Sequence, residues 1–241
     1  MLQKALKAET LKLKHSPIWL AFMIIPVISA IMGTFNYWGN REILQQEWYS
    51  LWTQHTIFYC YFCFPALVAV YCSYICRLEH MNGNWKSILA EPIHIGTICV
   101  AKWLTVMKIL VLTQIFVGIL FLVCGKIIGF NLGLPKELVG WLSLGLVAGG
   151  AIAAFQLMLS LIIRSFAIPI GVGLLGGIVG LRMRASGFGL YCPYSLFAIG
   201  MRSNNPEANL ECSLVSFIGM CFFFIVCFII WGIRKMKTSM I

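Results

Sequence analysis

Six long apolar stretches divide the chain, at about residues 18–38, 53–76, 105–124, 138–163, 167–181 and 213–233, with short polar segments between them. A bilayer core about 30 Å thick takes about 20 helical residues at 1.5 Å each. Five of the six stretches reach that length. The fifth spans only if the bilayer thins or neighbours shield its ends, so an incomplete or re-entrant helix stays open there. Ahead of them, residues 1–16 place Leu2, Leu6 and Leu13 on one helical face with Ala5 beside them. Lys4, Lys7 and Lys14 fall roughly opposite, while Leu11 and Lys12 break the pattern. This predicts an interfacial amphipathic helix lying on an anionic leaflet, with Pro17 in the first turn of the next helix.

The polar segment Arg77–Lys102 interrupts the pattern most on the side that also holds both termini. Met81, Trp85, Ile88 and Leu89 recur within it at spacings of three and four, which is one face of a short helix. Pro92 stops that helix, Thr97 is placed to cap the next one, and Lys102 stands at its membrane edge. An ordinary solvated loop fits the same residues.

Composition changes the picture by class. The chain is 60% apolar and 11% charged, with mean hydropathy +0.89, which is an all-α integral membrane protein rather than a soluble domain. The formal charge of +10 comes from eighteen Lys and Arg against eight Glu, with no Asp. On a soluble chain this would point to nucleic acid. Here the basic residues flank apolar runs, so they orient the chain and meet anionic headgroups, and no nucleic-acid partner is expected. Twelve Lys and Arg gather on the side of the termini and six on the other, which puts both termini and the 77–102 segment in the cytoplasm. Lys108 would be costly at mid-membrane and is expected to snorkel back to the headgroups.

The fourth and fifth spans are rich in small residues. Gly145/Gly149, Gly173/Gly177 and Gly176/Gly180 have the small-xxx-small spacing that lets backbones touch, inside the chain or between subunits. The tight turn Arg164–Ala167 makes these two spans neighbours. Residues 182–212 form the largest outer loop, whose aromatic residues suit the outer headgroup level. Arg182, Arg184 and Arg202 are read there as headgroup contacts.

The missing chemistry excludes more than the present chemistry assigns. The six stretches hold no Asp or Glu, which disfavours proton- or sodium-coupled transport. There is no GxxxxGK[ST], so any ATP and Mg belong to another chain; no catalytic residue and no cofactor of this chain is identified. Cys72/Cys76/His80 and His55/Cys60/Cys63 are the nearest approach to a metal set, and no metal is assigned to them. Cys192 and Cys212 are a candidate outer disulfide.

A basic amphipathic start, six spans with both ends inside, Glu79-x3-Gly83-x2-Lys86 followed by Pro92 and Lys102, a tight turn at Arg164 and an aromatic outer loop resemble an ABC-2 type transporter permease. Within that group the length and opening residues are most similar to the permease subunits of lantibiotic-immunity ABC transporters. The resemblance implies a type V exporter-like fold and a bacterial cell-membrane complex of two permeases, identical or related, with two cytoplasmic ATPases. It also implies a cationic antimicrobial peptide as cargo, expelled outward. It makes the stretch around Asn84–Leu89 the coupling helix, with Glu79, Gly83 and Lys86 carried over and the N-terminal helix as a second contact. Trp85 and Leu89 would add apolar contact with the ATPase and Lys86 a charge. Another drug, a lipid or a glycan precursor as cargo, or a non-transporting sensor or assembly protein, are the alternatives; substrate-contacting residues stay open.

Overall fold

The computed structural model describes residues 1–14, 16–81, 85, 93–131 and 133–239. Gly83, Lys86 and Leu89, three of the expected coupling residues, lie outside them. Among the described residues all regular structure is helical. The order is α1 (Leu2–Leu13), α2 (Ile18–Gly39), α3 (Glu47–Phe58), α4 (Phe64–His80), α5 (Ile95–Ile128), α6 (Leu138–Ile162), α7 (Ala167–Ala185), α8 (Pro193–Gly200) and α9 (Leu214–Ser239). Six helical runs are long and apolar enough to cross a membrane, with α3 and α4 forming one of them. Both termini fall at one end of the bundle, called proximal below, where Cys99 Sγ near the start of α5 lies 3.7 Å from Met236 Sδ near the end of α9. Leu20, Ile24, Ile28, Ile31 and Phe35 on α2, and Phe222, Phe223, Val226 and Ile230 on α9, point outward. A continuous apolar exterior of this kind is stable against lipid, not water.

The α3–α4 run is joined by a π-helical turn, Tyr59–Cys63. Pro65 follows, and a proline cannot donate to the carbonyl four residues back, here Tyr61. That carbonyl meets Gly177 of α7 in direct contact. Gly173, one turn earlier, lies against the Pro65 carbonyl and Ala69. Two glycines one turn apart therefore let α7 close on the proline-disturbed side of α4. Gly180 meets Tyr194 and Ser195, Gly145 meets Met201 and Gln114, and Gly149 meets Phe64. The small-residue faces thus pack within the chain. Gln156 of α6 fastens the same seam: its Nε2 donates to the Pro169 carbonyl (3.1 Å), and its Oε1 accepts from the Tyr194 hydroxyl (2.7 Å) and the Gly173 N–H (3.1 Å).

Several expectations change. Helix α7 has 19 residues and continues to Ala185, about 28 Å at helical rise, so the fifth stretch is a whole helix. Its main partners are α4 and α8 rather than α6, despite the tight turn. A short helix in the loop between α7 and α9 packs into the bundle. Helix α8 buries every residue from Tyr194 to Gly200 against α6 and α7, with the Phe197 ring stacked on Phe64 at 3.6 Å. The loop between α7 and α9 therefore contributes to the bundle core and is not a layer on its surface. Helix α5 starts at Ile95 with His94 as its cap, three residues before the expected Thr97, whose N–H donates to the His94 carbonyl (2.8 Å). At its other end Gly129 takes φ +95°, a left-handed stop that glycine adopts without strain. Cys192 and Cys212 are unbridged.

Candidate coupling site at the proximal end

Helix α1 lies across the proximal end of the bundle, packed along α5. Its apolar face alone does not hold it there. Glu9 and Lys12, three apart and so on one side of the helix, point into the junction where α4 ends and α5 has just begun. Glu79 lies in the last turn of α4 and Lys102 in the third turn of α5. Lys12 Nζ is 2.7 Å from Glu9 and 2.5 Å from Glu79; Lys102 Nζ is 3.0 Å from Glu9 and also pairs with the second Glu79 oxygen. The four charges form a closed ring with no net charge. Glu79 is 2% exposed and Lys102 0%.

Burial alone would push the Glu9 carboxyl up, but Lys102 and Lys12 outweigh it and hold it below its ordinary value. Burial would likewise lower the Lys12 ammonium, and hydrogen bonds to Glu79 and Glu9 raise it instead. Glu9 and Lys12 are therefore in the charged form that the ring requires. Buried rings of this kind contribute little net stability over an apolar core, yet removing one member leaves an uncompensated charge. Their effect is to specify one seat for α1 against the two helices that bracket residues 81–94.

A second chain of contacts leaves the same corner. Trp85 Nε1 donates to His80 Nδ1 (3.1 Å), and the His80 Nε2 is 2.9 Å from the Ser160 carbonyl near the end of α6. With Nδ1 accepting, the proton is on Nε2 and donates to Ser160. Ser73, seven residues before His80 on α4, meets the Ser160 hydroxyl at 3.3 Å. Trp85, within the bracketed segment, is thus hydrogen-bonded through His80 to α6.

The expected residues divide accordingly. Glu79, expected as a contact for another subunit, is spent inside the chain on Lys12 and Lys102. Trp85 is half-buried with its indole turned toward His80, not wholly outward. Lys102, expected at the membrane edge, is fully enclosed. Glu9 and Lys12 were not singled out as site residues. The available signal was the break that Lys12 makes in the amphipathic pattern of α1, since a charge on the wrong face of a docked helix needs a buried partner.

The thiols and imidazoles of the proximal and distal groupings are used in packing. Cys72 Sγ lies 3.6 Å from the Ala153 carbonyl, and His55 Nε2 is 2.9 Å from Thr34 Oγ1. Among the described residues no group of three or more His, Cys, Asp or Glu is placed to hold a metal ion.

At the distal end Arg184 is also enclosed. Its Nε donates to both Glu211 oxygens (3.0 and 3.1 Å), and Nη1 donates to Tyr61 Oη (2.9 Å) and to Ser203 Oγ. The side chain expected at the headgroups instead ties the end of α7 to α3–α4 and to the loop before α9. Arg202 is half-buried and donates to the Ala208 carbonyl.

Comparison with known proteins agrees with this architecture. The profile described as ABC-2 family transporter protein matches residues 5–180, from α1 through most of α7. A search of curated proteins returns no match, and a search of solved structures returns none either. The matched region includes α1, the ion-paired ring, the segment bracketed by α4 and α5, and the glycine seam. The chain therefore belongs to the ABC-2 transporter permease family, the membrane component of an ABC transporter whose ATP hydrolysis is carried out on a separate ATPase subunit.

Proposed function

We propose that this chain is the membrane half of an exporter that expels a lantibiotic or similar cationic antimicrobial peptide, driven through residues 77–102 by a pair of cytoplasmic ATPases. A second permease, identical or related, completes the complex. The proximal end is the cytoplasmic one. Setting aside Lys12, Lys102 and Arg184, whose charges are neutralised internally, leaves ten Lys and Arg on the proximal side against five on the distal side, so the positive-inside bias is unchanged.

The observation that carries the reading is the ring of Glu9, Lys12, Glu79 and Lys102. It joins α1 to both helices that bracket the coupling segment, so a push on that segment moves three elements together. Trp85 adds a second line of force through His80 to α6. ATP-driven closure of the ATPases would tilt α4 and α5 against α6 and α7 along the glycine seam and open a path outward for a peptide held at the membrane. The peptide cargo is supported by the likeness in length and opening residues to lantibiotic-immunity permeases and by the short outer loop. Arg184, being enclosed, does not repel a cationic ligand.

The test is peptide-stimulated ATP turnover in the assembled complex with Trp85→Ala and with Lys86→Glu. Turnover is expected to fall in both while the chain still inserts and assembles. Unchanged turnover in both removes the coupling role of the segment. Stimulation of ATP turnover in the unaltered complex by the peptide but not by other amphiphiles identifies the cargo class.

A further inference from the structure

A groove of about 460 Å³ lies between α1, the start of α2 and one face of α5. Leu13, Ile109 and Leu112 form its apolar floor, and Trp19 closes one side with its Nε1 donating to the Leu13 carbonyl (3.0 Å). The α5 positions in it, 105, 108, 109 and 112, follow helical spacing. The same face continues outward as exposed Leu112, Ile115 and Ile119, so the apolar track runs from the groove along the bundle. At the mouth stand two ammonium groups, Lys14 and Lys108. Neither has a carboxylate partner among the described residues, and the lining contains no acid. This contrasts with Lys12 and Lys102 on the same two helices, which are fully paired.

We infer that this groove is a discrete binding site for one anionic phospholipid, with the phosphate between Lys14 and Lys108 and an acyl chain laid along Leu112, Ile115 and Ile119. The charge selects the occupant. A pair of lysines with no acid, at the height of a tryptophan next to the helix start, is complementary to a phosphodiester headgroup. A zwitterionic lipid would place its own cation against them. Filling the groove bridges α1 to α5 beside the charged ring, since Lys102 shares a helical face with Thr105 and Ile109, so the lipid and the ring hold α1 at neighbouring points.

The experiment uses the full chain reconstituted in phosphatidylcholine bilayers doped with phosphatidylglycerol, followed by gentle extraction and native mass spectrometry of the lipid that stays bound. Two uncompensated lysines at the surface correspond to an enrichment of phosphatidylglycerol over phosphatidylcholine of about thirtyfold. Lys14→Gln/Lys108→Gln is expected to bring that ratio down to near the bulk composition, and Lys108→Arg to preserve it. Leu112→Trp, which fills the track, is expected to remove the adduct while leaving the elution profile of the protein unchanged. Lys4→Gln/Lys7→Gln, on the exposed face of α1, is the control for diffuse attraction and is expected to leave the ratio intact. The inference is overturned if the control lowers the ratio as much as the groove variant does. Equal retention of the two lipids by the wild type, or a dimer free of lipid adducts that shows the groove covered by a second copy, overturns it as well.

Discussion

Neutralising Glu79 tests the ring most sharply. In Glu79→Gln one carboxylate, Glu9, faces two ammonium groups, and Lys102 has no solvent to turn to. Breaking a buried pair costs about 3–5 kcal/mol. Lys12 is 35% exposed and can rotate into water, which places the expected loss near the lower end, about 3 kcal/mol, or more than a hundredfold in the folded ratio. Adding Lys102→Met restores neutrality with an apolar side chain and is expected to recover all but about 1 kcal/mol. The assay is denaturing-detergent titration of the purified chain, read by tryptophan fluorescence and by maleimide reaction of Cys76 and Cys99, buried thiols beside the ring. The thiols should react early in the single variant and late in the double one. If the single variant unfolds like wild type and the double is no better, the ring does not hold α1. If Glu79→Gln lowers ATP turnover with stability unchanged, Glu79 acts as an external contact after all.

Other outcomes follow from the same geometry. Glu9 titrates below its ordinary value of 4.5, so its contribution is complete above that pH and is lost as pH falls through the lowered value. Lys12 titrates above its ordinary 10.5, so its contribution is complete below that pH and is lost above the raised value. Proteolytic release of α1 should therefore be flat between about pH 5 and 10 and rise outside that window. Gly177→Val drives a side chain into the Tyr61 carbonyl and should cost about 3 kcal/mol in the same titration, whereas Gly171→Ala meets open space and should gain about 0.5–1 kcal/mol. Arg184→Gln loses charged hydrogen bonds to the half-exposed Glu211 and should cost about 1.5–3 kcal/mol, with faster protease cutting between 202 and 213.

How much of this the sequence disclosed depends on the kind of signal involved. The apolar stretches mark the spanning helices because burial in lipid demands length and composition, both of which are read along one dimension. The glycine spacings mark close approach, but whether the partner is inside the chain or another subunit depends on where Pro65 exposes a carbonyl, and spacing does not report that. Helix α8 was missed because its aromatic residues beside Cys192 and Pro193 look like an interfacial loop; burial of Tyr194 and Phe197 becomes visible only when Phe64 and Gly180 are brought alongside. Glu79, Lys102 and Arg184 were each read as surface charges because ion pairs between residues 23 to 93 apart leave no local trace. Lys12 was the exception, as the one charge on α1 that its helical face could not explain.

Photo-crosslinking from position 86 in the assembled complex tests the central claim, that force reaches this chain through the segment between α4 and α5. The account predicts one dominant adduct, with the mass of this chain plus one ATPase subunit, that weakens when ATP is trapped or withdrawn. A dominant adduct formed with a protein other than the ATPase, or a complex that turns over and transports normally while position 86 contacts no ATPase, contradicts it.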